Sequence, residues 1–261
     1  MNRHHAMNAF TLIELLVGII ISAILIIPVW RIFSTGTQTA MKGILSIETT
    51  LEARRIIRLL HGELKNACCE LKDDENNLTF NRLYETGGTP LSPVFSFLSF
   101  PLHGAIDGDL IAVTSPHSRA FRRLSRIRYD LEGARTGSRP FASLRRNERF
   151  HPDTVLGKKH PEGLTTILSD RVNYFEIKPV RCNWQGADAF YFWIHIRLVD
   201  VVKPRAHGSE NLEWGKQLER SNNVVMADFY DVVSPDFFMR LWNHPGIRRN
   251  WYNTLVGPKG P

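Results

Sequence analysis

AFTLIELLVGIIISAILIIPVWRIF, residues 9–33, decides how the rest of the chain is read. Between Phe10 and Trp30 the only charged side chain is Glu14. A helix of that length reaches across a hydrocarbon core of ~30 Å. A carboxylate inside an apolar span is costly, so it marks a function and calls for a partner. An ordinary signal peptide fits badly. Its apolar core is shorter, carries no acid and leads to a small-x-small cleavage site, whereas Pro28, Trp30 and Arg31 close this stretch. A plain single-span anchor accounts for the length but gives no reason for Glu14.

A small residue, then Phe10-Thr11-Leu12-Ile13-Glu14, then a run of Leu, Val and Ile closely resembles the type IV prepilin processing site. The resemblance implies that residues 1–9 are a leader and that a membrane peptidase cuts between Ala9 and Phe10. It also implies that the new amine of Phe10 is methylated and that residues 10–33 become a transmembrane and filament-core helix. Ala9 stands where this family usually has Gly. Glu14 lies one helical turn beyond Phe10. In the resembling family such a carboxylate pairs with the N-terminal amine of a neighbouring subunit, an arrangement that spares two charges in lipid and fixes axial register. The plainer reading is that Glu14 snorkels to the interface. Arg31 and Lys42 follow the span, so flanking-charge rules favour the opposite orientation. The motif is given precedence, because long domains translocate largely regardless of charge.

Beyond Pro28 the pattern stays helical. Ile44, Ile47, Leu51, Ile56, Leu59, Leu60 and Leu64 recur at helical spacing, with Glu48, Glu52, Arg54, Arg55, Arg58 and Lys65 between them. The expectation is an amphipathic stalk helix over 34–71, bent or partly melted around Gly36, Thr37, Thr39 and Gly43 and ended by the polar run Lys72 to Asn77. Residues 72–261 then read as one β-rich extracytoplasmic domain. Strands are expected over 78–84, 94–100, 109–114, 124–131, 172–180, 190–201 and 224–233, and an irregular excursion over 132–163. In 190–198 the apolar face is Phe190, Phe192, Ile194, Ile196 and Leu198, with Tyr191, Trp193, His195 and Arg197 opposite. The fold class is α+β and pilin-like: a long N-terminal helix, half for the membrane and half amphipathic, packed on an antiparallel sheet.

With 43% hydrophobic residues and a net charge of +7, the chain can bury one substantial core and favours anionic partners. The basic run Arg119, Arg122, Arg123, Arg126 and Arg128 sharpens this. Arg126 and Arg128 would project from one strand face and could hold phosphates, nucleic acid included. A solvated face or a contact with an acidic subunit is the plainer account. The three cysteines, Cys68, Cys69 and Cys182, leave two readings open. Either Cys182 bridges to Cys68 or Cys69, or all are buried free thiols. Their spacing makes no metal site, and His151, Asp153 and His160 have no third ligand at useful spacing. The acidic run Asp73 to Asn77 lacks a calcium-loop pattern. No nucleophile, metalloprotease or phosphate-loop motif occurs, so neither an enzyme nor a cofactor is expected.

Three further stretches resemble the larger minor pseudopilins, the J-type component of type II secretion and the W-type minor pilins. They are Ser125 to Leu131 leading to Leu144-Arg145-Arg146, Ile167 to Ile177 before Trp184, and Ile194 to Leu198. This implies a subunit at or near the tip of a type II secretion pseudopilus or type IV pilus, anchored in the inner membrane with its domain outside the cytoplasm. Its partners would be other minor pseudopilins or pilins, the prepilin peptidase and an inner-membrane platform. The alternative is a membrane-anchored extracytoplasmic binding protein, with DNA uptake as one role.

Overall fold

The computed structural model describes residues 12–74, 77–89, 92–100, 109–133, 141–184, 187–201 and 224–247. The chain divides into two compact units, Met1–Leu45 and Ser46–Pro261. One helix, α1 (Leu12–Lys65), supplies the described part of the first unit and the opening of the second.

In the first unit the helix carries no charge between Glu14 and Arg31, and from Leu12 to Phe33 its large aliphatic and aromatic side chains are exposed. By length and composition this stretch can cross a membrane. Pro28 sits inside the helix, where it removes one ladder hydrogen bond. The expected melting after it is not seen. Thr37 Oγ1 donates to the Ser34 carbonyl at 2.9 Å and Thr39 Oγ1 to that of Thr35 at 3.0 Å. Such back-bonding satisfies hydroxyls inside a helix that propensity alone would weaken.

In the second unit the chain passes from α1 through β1 (Ala67–Cys68), the hairpin β2 (Leu71–Asp74) and β3 (Asn77–Phe80), β4 (Tyr84–Thr89) and β5 (Ser92–Ser99). Helix α2 (Leu110–Thr114), a 3-10 turn Phe121–Arg123, β6 (Ser125–Glu132), β7 (Ala142–Phe150) and α3 (Val155–Lys159) come next. The unit closes with β8 (Leu164–Trp184), β9 (Ala187–Val201), β10 (Val224–Val233) and α4 (Asp236–Trp242). Strands β5 to β10 lie in sequence order in one antiparallel sheet, except that β1 and β4 both pair with β5.

One face of that sheet receives α1. Ala53, Ile56, Leu60 and Leu64 join Phe95, Phe97, Ile127, Phe192, Ile194 and Leu198 in one core. All five predicted inward residues of β9 are buried. Phe238, Leu241 and Trp242 of α4 join the same core beside Phe80, whose ring stacks on Trp242 at 5.1 Å.

Five sequence expectations are corrected. The stalk helix ends at Lys65 and not at residue 71, because Ala67 and Cys68 leave it to pair with Ser99 and Leu98 and bury their side chains there. The polar run after Lys72 therefore lies in the β2–β3 hairpin and does not stop the helix. Asp109 to Thr114 is helix α2, since the Asp109 carboxylate accepts from the Ile111 N–H at 3.0 Å and starts a helical turn. Within 132–163, β7 replaces the expected irregular excursion: it pairs with β6 on one side and β8 on the other and buries Ala142 and Leu144. Its sequence, rich in Arg, hides that pattern. β8 likewise runs well beyond 172–180. It pairs with β7 up to Val172 and with β9 from Val172 on, with register shifts on either side of Val172.

Candidate functional site

Helix α1 carries two stripes in its second-unit portion. Thr49, Ala53, Ile56, Leu60, Glu63 and Leu64 recur every three or four residues and are buried. At 100° per residue, Ile47 and Leu51 fall on the opposite face, and both are more than 60% exposed. The sequence pattern had merged these two stripes into one. One turn after Leu51 the exposed face turns basic, with Arg54 and Arg58.

The buried stripe includes an acid, which needs a partner when removed from water. Glu63 finds three. Its Oε1 accepts from Arg146 Nε at 2.8 Å, its Oε2 accepts from the Tyr129 hydroxyl, and the Arg146 guanidinium also reaches Glu148 at 2.7 Å. Tyr129 on β6 and Arg146 on β7 are register partners across the ladder, so the sheet presents both donors at one place. Burial pushes the Glu63 carboxyl above its usual range, and Arg146 and Tyr129 hold it back. Burial also drives the Tyr129 hydroxyl well up, and the Glu63 charge adds to this. For Arg146 burial acts the other way, but the hydrogen bonds and charges of Glu63 and Glu148 keep the guanidinium firmly charged. The arrangement is an anchor: it fixes α1 on the sheet at one rotation and one height. Sequence reasoning did not single out Glu63. The available signal was an acid at a core position, three residues after Leu60 and beside Leu64.

Ala9 and Phe10 lie outside the described residues. Glu14 is in the first turn of α1, on the exposed apolar stretch. Arg126 and Arg128 do project from the exposed face of β6, with Ile127 and Tyr129 buried opposite. Their charges are largely answered within the chain. Arg126 pairs with Glu85 at 3.3 Å, Arg128 lies 3.7 Å from Asp130, and Arg122 pairs with Asp153 at 3.4 Å. Arg123 is exposed, with no ion pair among the described residues. The structure thus splits the arginine run and does not assemble an anion stripe. Cys68 and Cys69 are free thiols, fully buried, and burial raises both thiols far above their usual range. Cys182 lies in β8, with its side chain outside the described set. His151 and Asp153 fold onto each other and onto Arg122 beside α3.

Comparison with known proteins gives one match, and it overlaps this helix from Leu12 on. The family model described as the prokaryotic N-terminal methylation motif matches residues 5–30. No curated protein and no solved structure matches the chain. The motif is the type IV pilin-like signal, which implies processing by a prepilin peptidase and assembly with other pilins. The apolar helix beside it fits membrane anchoring.

Proposed function

We propose that this chain is a minor pseudopilin or minor pilin, a non-enzymatic subunit placed at or near the tip of a type II secretion pseudopilus or type IV pilus. The observation that carries the reading is the methylation motif at the head of α1. That helix also keeps Ile47 and Leu51 turned away from its own core. The apolar face is suited to neighbouring helices, which pack by close van der Waals contact. In this mechanism cleavage frees the amine of Phe10, Glu14 pairs with such an amine on a neighbour, and the span leaves the bilayer as the helix docks. A soluble domain of about 200 residues is bulky for a repeating shaft subunit, which favours the tip. The inner-membrane platform and the other small pilin-like subunits are the partners.

A photo-crosslinking residue placed at Ile47 or Leu51 in producing cells tests this. Adducts with other pilin-like subunits are expected at both positions, and they should vanish in a Glu14→Ala background. Their absence in cells with an active peptidase would overturn the assembly reading. A deletion strain then separates the two systems: loss of secretion with pili retained supports the pseudopilus, and the reverse supports the pilus.

A further inference from the structure

The two edges of the large sheet are built differently. At one end β1 is two residues long, and β4 contains Gly87 and Gly88, the latter at φ 80°. At the other end lies β10, ten residues long. β9 pairs with it along its whole length on one side, and no strand lies on the other among the described residues. That register has no bulge, and the strand holds no Lys, Arg, Pro or Gly. Short strands, bulges, prolines and lysines are the usual guards that keep a sheet edge from pairing. β10 has none of them.

One contact gives the direction of the backbone groups. The Val232 N–H donates to Asp231 Oδ1 at 2.9 Å, so it points away from β9. In an antiparallel ladder that direction alternates residue by residue. With the register unbroken, the N–H and C=O of Val224, Met226, Asp228 and Tyr230 point outward too. None of these four makes another backbone hydrogen bond among the described residues. Their side chains share one face with Val232, and on it Tyr230 is 58% and Val232 57% exposed. The two acids of the strand do not guard the edge, because both are engaged within the chain. Asp228 Oδ1 bonds His195 Nε2 at 2.7 Å and accepts from Arg197 Nε at 2.8 Å, while Asp231 Oδ2 lies 2.8 Å from His61 Nδ1.

A row of alternating donors and acceptors at strand spacing is matched by one kind of ligand, another extended backbone. A phosphate chain offers acceptors alone, and a lipid surface presents no ordered row of donors. Beside Tyr230 and Val232 an incoming strand gains most from aromatic or β-branched side chains. We propose that β10 is a strand-addition edge. An extended segment of a different polypeptide, with aromatic or β-branched residues facing Tyr230 and Val232, pairs with it and lengthens the sheet by one strand. A second copy of this chain fits less well. Two identical edges close only about a two-fold axis, with the strands antiparallel, and that arrangement runs the two α1 helices in opposite directions. Copies that share one membrane insert in one direction, and α1 is continuous with the candidate span. The pairing does not rest on the filament reading.

Amide exchange of the full-length chain in detergent, read residue by residue, provides the test. The probe is a short peptide of alternating threonine and valine with lysines at both ends. Without it, the amides of Met226, Asp228 and Tyr230 should exchange fast, while those of Val225, Ala227 and Phe229 are held by β9. Millimolar peptide should slow the first three about tenfold, which corresponds to nine sites in ten occupied. Methylating the amide nitrogens of the peptide removes its donors and should abolish the slowing. Tyr230→Pro deletes one outward N–H and should weaken peptide binding roughly thirtyfold. Tyr230→Thr keeps that N–H and should change binding by no more than about fivefold. No slowing with the peptide, slowing that survives methylation, or slowing confined to the odd-numbered amides overturns the proposal. Slowing that grows with protein concentration before peptide is added makes a second copy the occupant and overturns the choice of a different chain. An unchanged thermal unfolding profile shows that the Tyr230→Pro sheet is intact; if that variant unfolds, the methylated peptide carries the test without it.

Discussion

Between Leu12 and Phe33 the helix leaves its leucines and isoleucines open, whereas between Thr49 and Leu64 the same helix buries every third or fourth residue against a sheet. The two stretches also treat their acids differently. Glu63 receives a guanidinium and a phenol from β6 and β7 of its own chain. Glu14 sits in an apolar run, and the proposed function gives it a partner on another subunit. On that reading one stretch is completed by folding, the other by lipid and then by assembly. A helix that is hydrophobic all round is stable only where something else covers it.

The comparison breaks most readily at the anchor. Arg146→Met leaves Glu63 buried without its cation, and should cost the Ser46–Pro261 unit ~3–5 kcal/mol. The readout is a lower denaturant midpoint at unchanged slope, and a loss under ~1 kcal/mol would mean that Glu63 is not held as described. Next in size is a pair of truncations on opposite faces of one helix. Leu60→Ala should cost ~2–5 kcal/mol and Leu51→Ala no more than ~0.5 kcal/mol, while only Leu51→Ala weakens crosslinking to neighbours. Equal costs would show that the two stripes have been assigned wrongly. Tyr129→Phe removes one donor and leaves Arg146 in place, so a drop of ~1.5–3 kcal/mol is expected.

The smallest effect is on pH dependence, and its sign differs between two acids. Asp228 is held below its usual range: burial alone would raise it, but the hydrogen bonds and charges of Arg197 and His195 prevail. The folded state then binds fewer protons at this site than the unfolded chain. The stability it contributes is complete above the ordinary Asp value of about 3.9 and is lost as pH falls through the lower folded value. Glu63 is raised, so its contribution is greatest below the ordinary Glu value and declines as pH rises through the folded one. Asp228→Asn should therefore flatten the acid limb of the denaturation midpoint against pH. An acid limb as steep as wild type would remove Asp228 from that account.

Local pattern carried much of the fold. β10 spans Val224–Val233 as the sequence suggested, the five apolar residues of β9 are all buried, and on β6 Arg126 and Arg128 are exposed while Ile127 and Tyr129 are buried. What stayed hidden depends on contacts between distant residues. β7 is polar along most of its length and is a strand because two neighbours pair with it. The Glu63 anchor needs Tyr129 and Arg146 brought opposite each other by the ladder. His195 sits on the mixed face of β9, as its alternation implies, yet it is covered by the rings of Tyr174 and Tyr230 and bonded to Asp228 at 2.7 Å. None of these partners is near in sequence. The candidate assembly residues are different: Phe10 and Glu14 are legible because a processing site is read by an enzyme as a local string.

That string also gives the most direct test of the account. The N-terminus of the protein extracted from membranes of cells with an active prepilin peptidase should be read by peptide mass spectrometry. The account predicts a peptide that begins at N-methylated Phe10. An intact leader through Ala9 would contradict it and leave a membrane-anchored domain that never enters a filament.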